Sequence, residues 1–187
     1  MANLVTSVEI AGAEGFPSYL SPTQLEGLLS NTPGSNGHCP EDLSFIVLTQ
    51  DPGYDGSPLV GSLLAEEKEV EGFAFDYYDG VSVHPDHSDN GVVKGLLDTA
   101  RIVGGDKPSL LRTSDPELDE VYGTMSDVSI KVGDFYIHGF GFFDKYGLPL
   151  FDGAEGKFDL AVKYVADLPQ TLVEEPQTPT KAPELPQ

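Results

Sequence analysis

The order of apolar and polar residues along the chain predicts strands and helices that alternate. Residues 5–11 alternate apolar with polar side chains as a half-buried strand does, whereas residues 43–51 form the near-continuous apolar run of a buried strand. Two further strands are expected at 58–68 and 73–83, each preceded by a turn that contains glycine. Because short turns join antiparallel neighbours, these last three strands predict a meander.

Helical spacing replaces alternation at 91–103, where apolar residues recur every three or four positions. A short helix is predicted at 21–30, which opens with Ser-Pro, and another at 115–125, where Asp115 is the N-cap and Pro116 the first residue. The remaining predicted elements are a short strand at 108–114, a strand pair or one bent strand at 128–144, and a last helix or strand at 158–168.

This order of elements predicts an α+β fold, in which helices flank a central mixed and mostly antiparallel sheet. We expect residues 1–168 to form a single domain, because 187 residues suffice for one core and an extension. Residues 169–187 contain five prolines among acidic and polar residues, which predicts a disordered tail. A proline-motif ligand is the alternative for that tail.

The chain is strongly acidic, with ten Lys and Arg against 31 Asp and Glu and a formal net charge of -21. Such a charge repels phosphate backbones and anionic lipid headgroups, so we expect no nucleic-acid partner and no membrane partner. A solvated surface suited to solubility or to high salt explains the acidity, and a DNA-mimicking decoy is the sharper alternative.

Cysteine and histidine are sparse. Cys39 is the only cysteine, which excludes an intrachain disulfide and a zinc site built from cysteines. His84 and His87 lie three residues apart, but they belong to no regular ligand pattern, so no metal is expected. Because no signal peptide and no run of about 18 apolar residues is found, we expect a cytoplasmic protein.

Residues 81–102 connect a predicted strand to a predicted helix through a polar turn that ends at Gly91. The start of a helix offers unpaired backbone N–H groups to an anion. Glycine lets a phosphate approach those groups because it has no Cβ. The pattern therefore predicts a cradle for a pyrophosphate after Val83.

This stretch resembles motif A of the GCN5-related N-acetyltransferases, in which a strand ending in Val-x-Pro leads into Gln/Arg-x-x-Gly-x-Gly/Ala and a helix. Val83-His84-Pro85 matches the strand end and Gly91 the first glycine, whereas Ser88 and Val93 depart from the motif. The order of elements from residue 5 to 165 is also similar to that family. The resemblance implies acetyl-CoA as cosubstrate, held by Val81, Ser82, Val83, Ser88, Asp89, Asn90, Gly91, Val92, Val93 and Lys94.

Transfer of an acetyl group to an amine needs a base and a proton donor for the leaving thiolate. In the family that the chain resembles, a carboxylate on the strand before the loop serves as base, and here that position is Asp79. Strand alternation predicts that Asp79 shares a face with Val81 and Val83, while an Asp-Gly turn is the alternative.

The same resemblance implies that Tyr122 donates a proton to the sulfur of the coenzyme, with a core tyrosine as the alternative. His138 is a second candidate base, or else a hydrogen-bonded histidine within the sheet. Residues 110–127 are also faintly similar to the acetyltransferase domain of N-acetylglutamate synthases. That similarity implies that Arg112 binds a substrate carboxylate through its guanidinium, and a structural salt bridge is the alternative.

Together these observations predict an N-acyltransferase that moves an acetyl group directly from acetyl-CoA to a primary amine. The amine belongs to a small molecule or a peptide, and the protein is expected to be a monomer or a homodimer. A non-catalytic protein of the same fold, which binds a partner through its acidic surface or its tail, is the alternative.

Overall fold

A mixed β-sheet carries the helices and the loops of this protein. The computed structural model describes residues 5–10, 43–50, 59–83, 87 and 90–169. The described strands are β1 Val5–Ile10, β2 Leu43–Gln50, β3 Leu59–Val70, β4 Phe73–Val83, β5 Ser109–Thr113, β6 Val128–Val132 and β7 Phe135–Phe140. The described helices are α1 Asn90–Gly104, α2 Pro116–Gly123 and α3 Ala154–Asp167. None of these three helices is both long and apolar enough to cross a lipid bilayer.

Two predicted segments lie outside the described residues. They are the helix at 21–30 and, apart from Pro169 itself, the disordered tail at 169–187.

The seven described strands lie in the order β1-β2-β3-β4-β5-β7-β6. Every neighbouring pair is antiparallel except β4 and β5, which are parallel. A parallel pair needs a crossover connection, and α1 supplies it. The predicted α+β class, with helices flanking a mixed and mostly antiparallel sheet, is therefore confirmed.

Two tight turns set the register of the hairpins. Between β3 and β4, Glu71 and Gly72 have φ angles of 49° and 75°, the left-handed region that two-residue hairpin turns use. Between β6 and β7, Gly133 has a φ angle of 59°, and Val132 pairs with Phe135. Residues 128–144 thus contain a strand pair rather than one bent strand.

The end of β4 contains a β-bulge. Ser62 pairs with Ser82 and Leu64 pairs with Asp79, so β4 has one residue more than β3 between these two pairs. An extra residue in one strand reverses which face of the sheet the following side chains occupy.

The bulge separates side chains that strict alternation would place together. Val81 and Val83 pack in the core beneath α1, whereas Asp79 continues the alternation of Tyr77, which lies in the core beneath α3. The prediction that Asp79, Val81 and Val83 share one face is therefore wrong.

The helix termini follow the local sequence signals. The carboxylate of Asp115 accepts a hydrogen bond of 2.8 Å from the Glu117 backbone N–H, and Pro116 is the first residue of α2, as predicted. The element predicted at 158–168 as a helix or a strand is a helix, α3, which begins four residues earlier, at Ala154.

One hydrophobic core lies on each face of the sheet. The core beneath α1 and α2 contains Phe45, Val47, Leu63, Ala65, Tyr78, Val92, Val93, Leu96, Leu97, Ala100, Leu111, Tyr122 and Phe140. The core beneath α3 contains Phe75, Tyr77, Leu110, Ile137, Phe142, Phe158, Ala161, Val162 and Val165. The sheet thus separates the surroundings of Tyr122 from those of Tyr77.

Candidate active site

The parallel pair β4–β5 is short and opens at the carboxyl ends of its strands. Asp76–Tyr78 of β4 pair with Ser109–Leu111 of β5, and the pairing stops there. Beyond this point β4 pairs with β3, while Arg112 and Thr113 pair with β7. In the part of the chain that the structure describes, Val81–Val83 therefore have no strand partner on the β5 side. Backbone groups left open in this way bind ligands that contain amides.

Helix α1 begins at Asn90, seven residues after the end of β4 at Val83. Gly91 is exposed, and the first turn of α1 contains no acidic residue. Val92 and Val93 are 2% and 7% exposed because their side chains pack in the core beneath α1. The start of α1 thus presents backbone rather than side chains, as an anion site requires. Ser88 and Asp89 lie outside the described residues.

A cleft of about 460 Å³ lies between α1 and α2 and adjoins the first turns of α1. Its lining consists of Lys94, Glu117, Glu120, Val121, Thr124 and Met125. Lys94 forms an ion pair with Asp98 one helical turn later, so its charge is already compensated. The side chains of this cleft therefore carry net negative charge, and attraction for a phosphate must come from the N–H groups that begin α1.

Asp79 is partly buried beside the β4–β5 opening, on the α3 side of the sheet. Tyr77 lies near Asp79. Burial is the main cause that raises the pKa of Tyr77 to about 12, and the negative charge of Asp79 raises this pKa further. A carboxylate in this position can accept a proton from a group that enters the opening.

Tyr122 lies beneath α2, on the other face of the sheet, and is 2% exposed. Burial raises the pKa of Tyr122 to about 12, and the charge of Asp115 adds to this effect. The phenol therefore stays protonated at neutral pH and can act as a proton donor. The structure places Tyr122 and Asp79 on opposite faces of the sheet, so both could serve one reaction only across the end of the β4–β5 pairing.

His138 of β7 is fully buried and lies in contact with Tyr122, whose ring meets the imidazole edge-on at 5.6 Å between centroids. His138 Nδ1 is 2.8 Å from Ser129 Oγ, and Nε2 is 3.4 Å from Asp119 Oδ1. The second separation is an electrostatic contact, since Nε2 has no hydrogen-bond partner. Burial lowers the pKa of His138 against the opposing effect of Asp119, so the imidazole is neutral at pH 7.

Arg112 holds the end of α3. Its guanidinium donates hydrogen bonds of 2.9 Å to the carbonyls of Val165 and Leu168, and one of 3.2 Å to Pro169. The guanidinium carbon also lies 4.6 Å from the centroid of the Phe135 ring. Arg112 is thus on the face opposite Tyr122, and three of its five N–H donors already bond the end of α3.

Sequence reasoning missed Asp119 and Ser129, the two polar neighbours of His138. A signal for one of them was present: the Gly133-Asp134 turn pairs Val132 with Phe135, and counting back along both strands pairs Ser129 with His138. Asp119 carried no comparable signal, because its position depends on how α2 packs on the sheet.

A larger cavity, of about 850 Å³, lies at the opposite end of α1. Its lining includes Arg101, Ile102, Lys107, Phe140 and Leu150. Ser109 at the amino end of β5 also lines this cavity. The cavity is therefore remote from the carboxyl ends of β4 and β5. The candidate site therefore consists of the β4–β5 opening, the start of α1 and the Tyr122–His138 pair.

Comparison with known proteins agrees with this geometry. No protein family and no curated protein matches the chain in sequence. The structure of Arabidopsis thaliana NAA60 in complex with acetyl-CoA matches with a TM-score of 0.52 at 13% identity, over 73% of this chain and 97% of that one.

Two Escherichia coli proteins are also similar, at lower TM-scores. The ribosomal-protein-S18-alanine N-acetyltransferase gives 0.47 at 11% identity over 73% of this chain and 93% of that one. ElaA gives 0.47 at 17% identity over 72% and 99%. The similarity to N-acetylglutamate synthases stays a prediction. On the NAA60 match and the strand order, this chain has the fold of the GCN5-related N-acetyltransferases.

Proposed function

We propose that this chain is an acetyl-CoA-dependent N-acyltransferase that moves an acetyl group directly to a primary amine. The observation that carries the proposal is the opening between β4 and β5, with α1 beginning after the end of β4. A single ligand that extends along β4 meets open backbone groups first and a helix start next. Acetyl-CoA has this sequence of parts, with two amides followed by a pyrophosphate.

The pantetheine arm pairs with Val81–Val83 of β4 in the manner of an added strand. The pyrophosphate then lies against the N–H groups at Asn90 and Gly91, where the partial positive charge of the helix terminus favours an anion. Gly91 allows close approach because it lacks a Cβ.

The acceptor amine must be neutral to attack the thioester. Asp79 takes its proton, the C–S bond breaks as the C–N bond forms, and the protonated phenol of Tyr122 supplies a proton to the departing thiolate. His138 is buried, so a proton from the acceptor reaches it only through Ser129 or Asp119. Asp79 is therefore the better placed of the two candidate bases.

A non-catalytic role is the second candidate, and the cleft between α1 and α2 favours it. Glu117 and Glu120 line this cleft, and Lys94 is paired with Asp98, so side chains there repel a phosphate-rich ligand. On this alternative, the fold is kept and the acidic surface binds a cationic partner. The two candidates differ in whether acetyl-CoA binds.

Thermal unfolding with and without millimolar acetyl-CoA separates them. A ligand at 100 times its Kd stabilises the folded state by about 2.7 kcal/mol, which raises the Tm by roughly 5–10 °C for a chain of this size. The sharpest variant is Gly91→Glu, because a carboxylate at the start of α1 suits the helix dipole but repels the pyrophosphate. We expect this variant to fold normally and to lose the shift.

The matched control is Ile102→Glu, which adds the same charge at a position that is 80% exposed near the other end of α1. It should keep the full shift. Release of free thiol is then measured with a panel of a polyamine, a lysine peptide and an amino acid. An unchanged Tm of the natural chain at millimolar acetyl-CoA would overturn the proposal and leave the binding role.

A further inference from the structure

Three residues from α2, β6 and β7 form a polar array on the sheet face beneath α2. Ser129 of β6 is exposed, and its Oγ lies 2.8 Å from His138 Nδ1. On the other side of the ring, Asp119 Oδ1 of α2 lies 3.4 Å from Nε2. A hydroxyl, an imidazole and a carboxylate in this order are the groups that activate a serine for nucleophilic attack.

The protonation of the array follows from its geometry. Asp119 forms no hydrogen bond with Nε2, but its negative charge 3.4 Å away favours the neutral tautomer that carries its proton on Nε2 and leaves Nδ1 as an acceptor. Ser129 therefore donates its hydroxyl hydrogen to Nδ1. Because burial lowers the pKa of His138, the ring is unprotonated at neutral pH and free to take that hydrogen.

The array is also open to a ligand on one side. His138 is fully buried and the side chain of Asp119 is 30% exposed, so Ser129 is the member that a reagent meets first. β6 is the last strand of the sheet, and in the described residues its outer backbone edge has no strand partner. N–H groups on such an edge are available to an oxyanion.

We propose that Ser129 is an acyl-accepting nucleophile, served by His138 and Asp119, that acts on small acyl esters and thioesters. Ser129 Oγ bonds to the carbonyl carbon while its proton passes to His138 Nδ1. The bond from that carbon to the leaving oxygen or sulfur breaks, and the leaving group takes the proton from His138. Water then hydrolyses the Ser129 ester by the same two proton transfers and releases a carboxylic acid.

This activity is distinct from acyl transfer to an amine, and its test omits both coenzyme and amine. The full chain is treated with a fluorophosphonate probe, which loses fluoride to an activated serine hydroxyl, and mass spectrometry locates the adduct. Hydrolysis of p-nitrophenyl acetate is measured in parallel. We expect labelling on Ser129 and hydrolysis above the rate of the Ser129→Ala variant.

Two variants separate activation from mere exposure. Asp119→Asn removes the charge that stabilises the imidazolium and should slow labelling by roughly tenfold or more. Ser114→Ala removes another exposed serine, which has no histidine beside it in the described residues, and should label as the natural chain does. Three outcomes would overturn the proposal. The natural chain is not labelled, the Ser129→Ala variant is still labelled, or a folded Asp119→Asn variant is labelled as fast as the natural chain.

Discussion

Gly61 of β3 lies directly beneath Val92 of α1. A Cβ on Gly61 would be 3.2 Å from Leu96 Cδ1 and 2.9 Å from Val92 Cγ1, and the second distance is shorter than Cβ atoms show in folded proteins. The missing side chain lets the first turns of α1 rest on β3, next to the end of β4. The position of the proposed anion site therefore depends on a residue that touches no ligand.

Replacing Gly61 by alanine should destabilise the protein by roughly 1–3 kcal/mol, because the methyl group forces Val92 and α1 outward. Urea unfolding measures the effect. Gly95→Ala is the matched control, since a Cβ there meets nothing within 4 Å and the helix gains roughly 0.5–1 kcal/mol. Equal midpoints for the two variants would contradict the packing described.

Replacing Tyr122 by phenylalanine should lower turnover roughly a hundredfold or more if the phenol supplies the proton to the thiolate. The thermal shift caused by acetyl-CoA should remain, because the ring still fills its place in the core. Free-thiol release and thermal unfolding are measured on the same preparation. Unchanged turnover would remove Tyr122 from the mechanism and leave it as a core residue.

Replacing Arg112 by lysine should lower stability by roughly 1–3 kcal/mol, because one ammonium nitrogen cannot replace the two guanidinium nitrogens that bond the carbonyls of Val165, Leu168 and Pro169. Chemical denaturation measures the loss, and Arg101→Lys, at an exposed position, serves as control. A raised KM for an acidic acceptor with unchanged stability would instead support the substrate role implied by the N-acetylglutamate synthase similarity.

Replacing Asp76 by asparagine should change how stability depends on pH. Asp76 is 1% exposed, and burial raises its pKa against the opposing charge of Lys107, whose Nζ lies 3.3 Å from Oδ1. Above pH 3.8, the folded chain therefore keeps a proton that the unfolded chain has lost. Stability from this group is present at low pH and is lost as pH rises through the raised pKa.

The amide in Asp76→Asn does not titrate, so the variant should gain stability relative to the natural chain between pH 4 and pH 7. Thermal unfolding across this range measures the difference. Asp106→Asn removes an exposed carboxylate nearby and should show no such trend. If the stability gained by Asp76→Asn shrinks as pH rises, the charge of Lys107, and not burial, determines the direction of the Asp76 pKa shift.

The sheet was predictable because its signals are local. Alternation located the strands, glycine-containing turns joined them, and Asp115 with Pro116 marked the start of α2. The helix predicted at 91–103 and the strand predicted at 108–114 also follow β4 in that order. Each of these features depends on residues that are close together in the sequence.

Features that depend on tertiary contacts were not predictable. The only sequence signal for the β-bulge at the end of β4 is the pair Asp79-Gly80, which is equally typical of a turn. The contacts of Arg112 with the end of α3 join residues more than 50 positions apart. The contact between Asp119 and His138 could not be predicted either, because no local sequence pattern indicates which helix packs on a strand.

The short parallel contact between β4 and β5 also bears on how the chain folds. On either side of it, β2 to β4 and β6 with β7 are built from strands that follow one another in the sequence and lose little loop-closure entropy. Placing β5 between these two parts requires the long connections through α1 and α2, so we expect that step to come last. The region between the two parts should then also be the first to open in native-state fluctuations, and its amides the first to exchange with solvent deuterium.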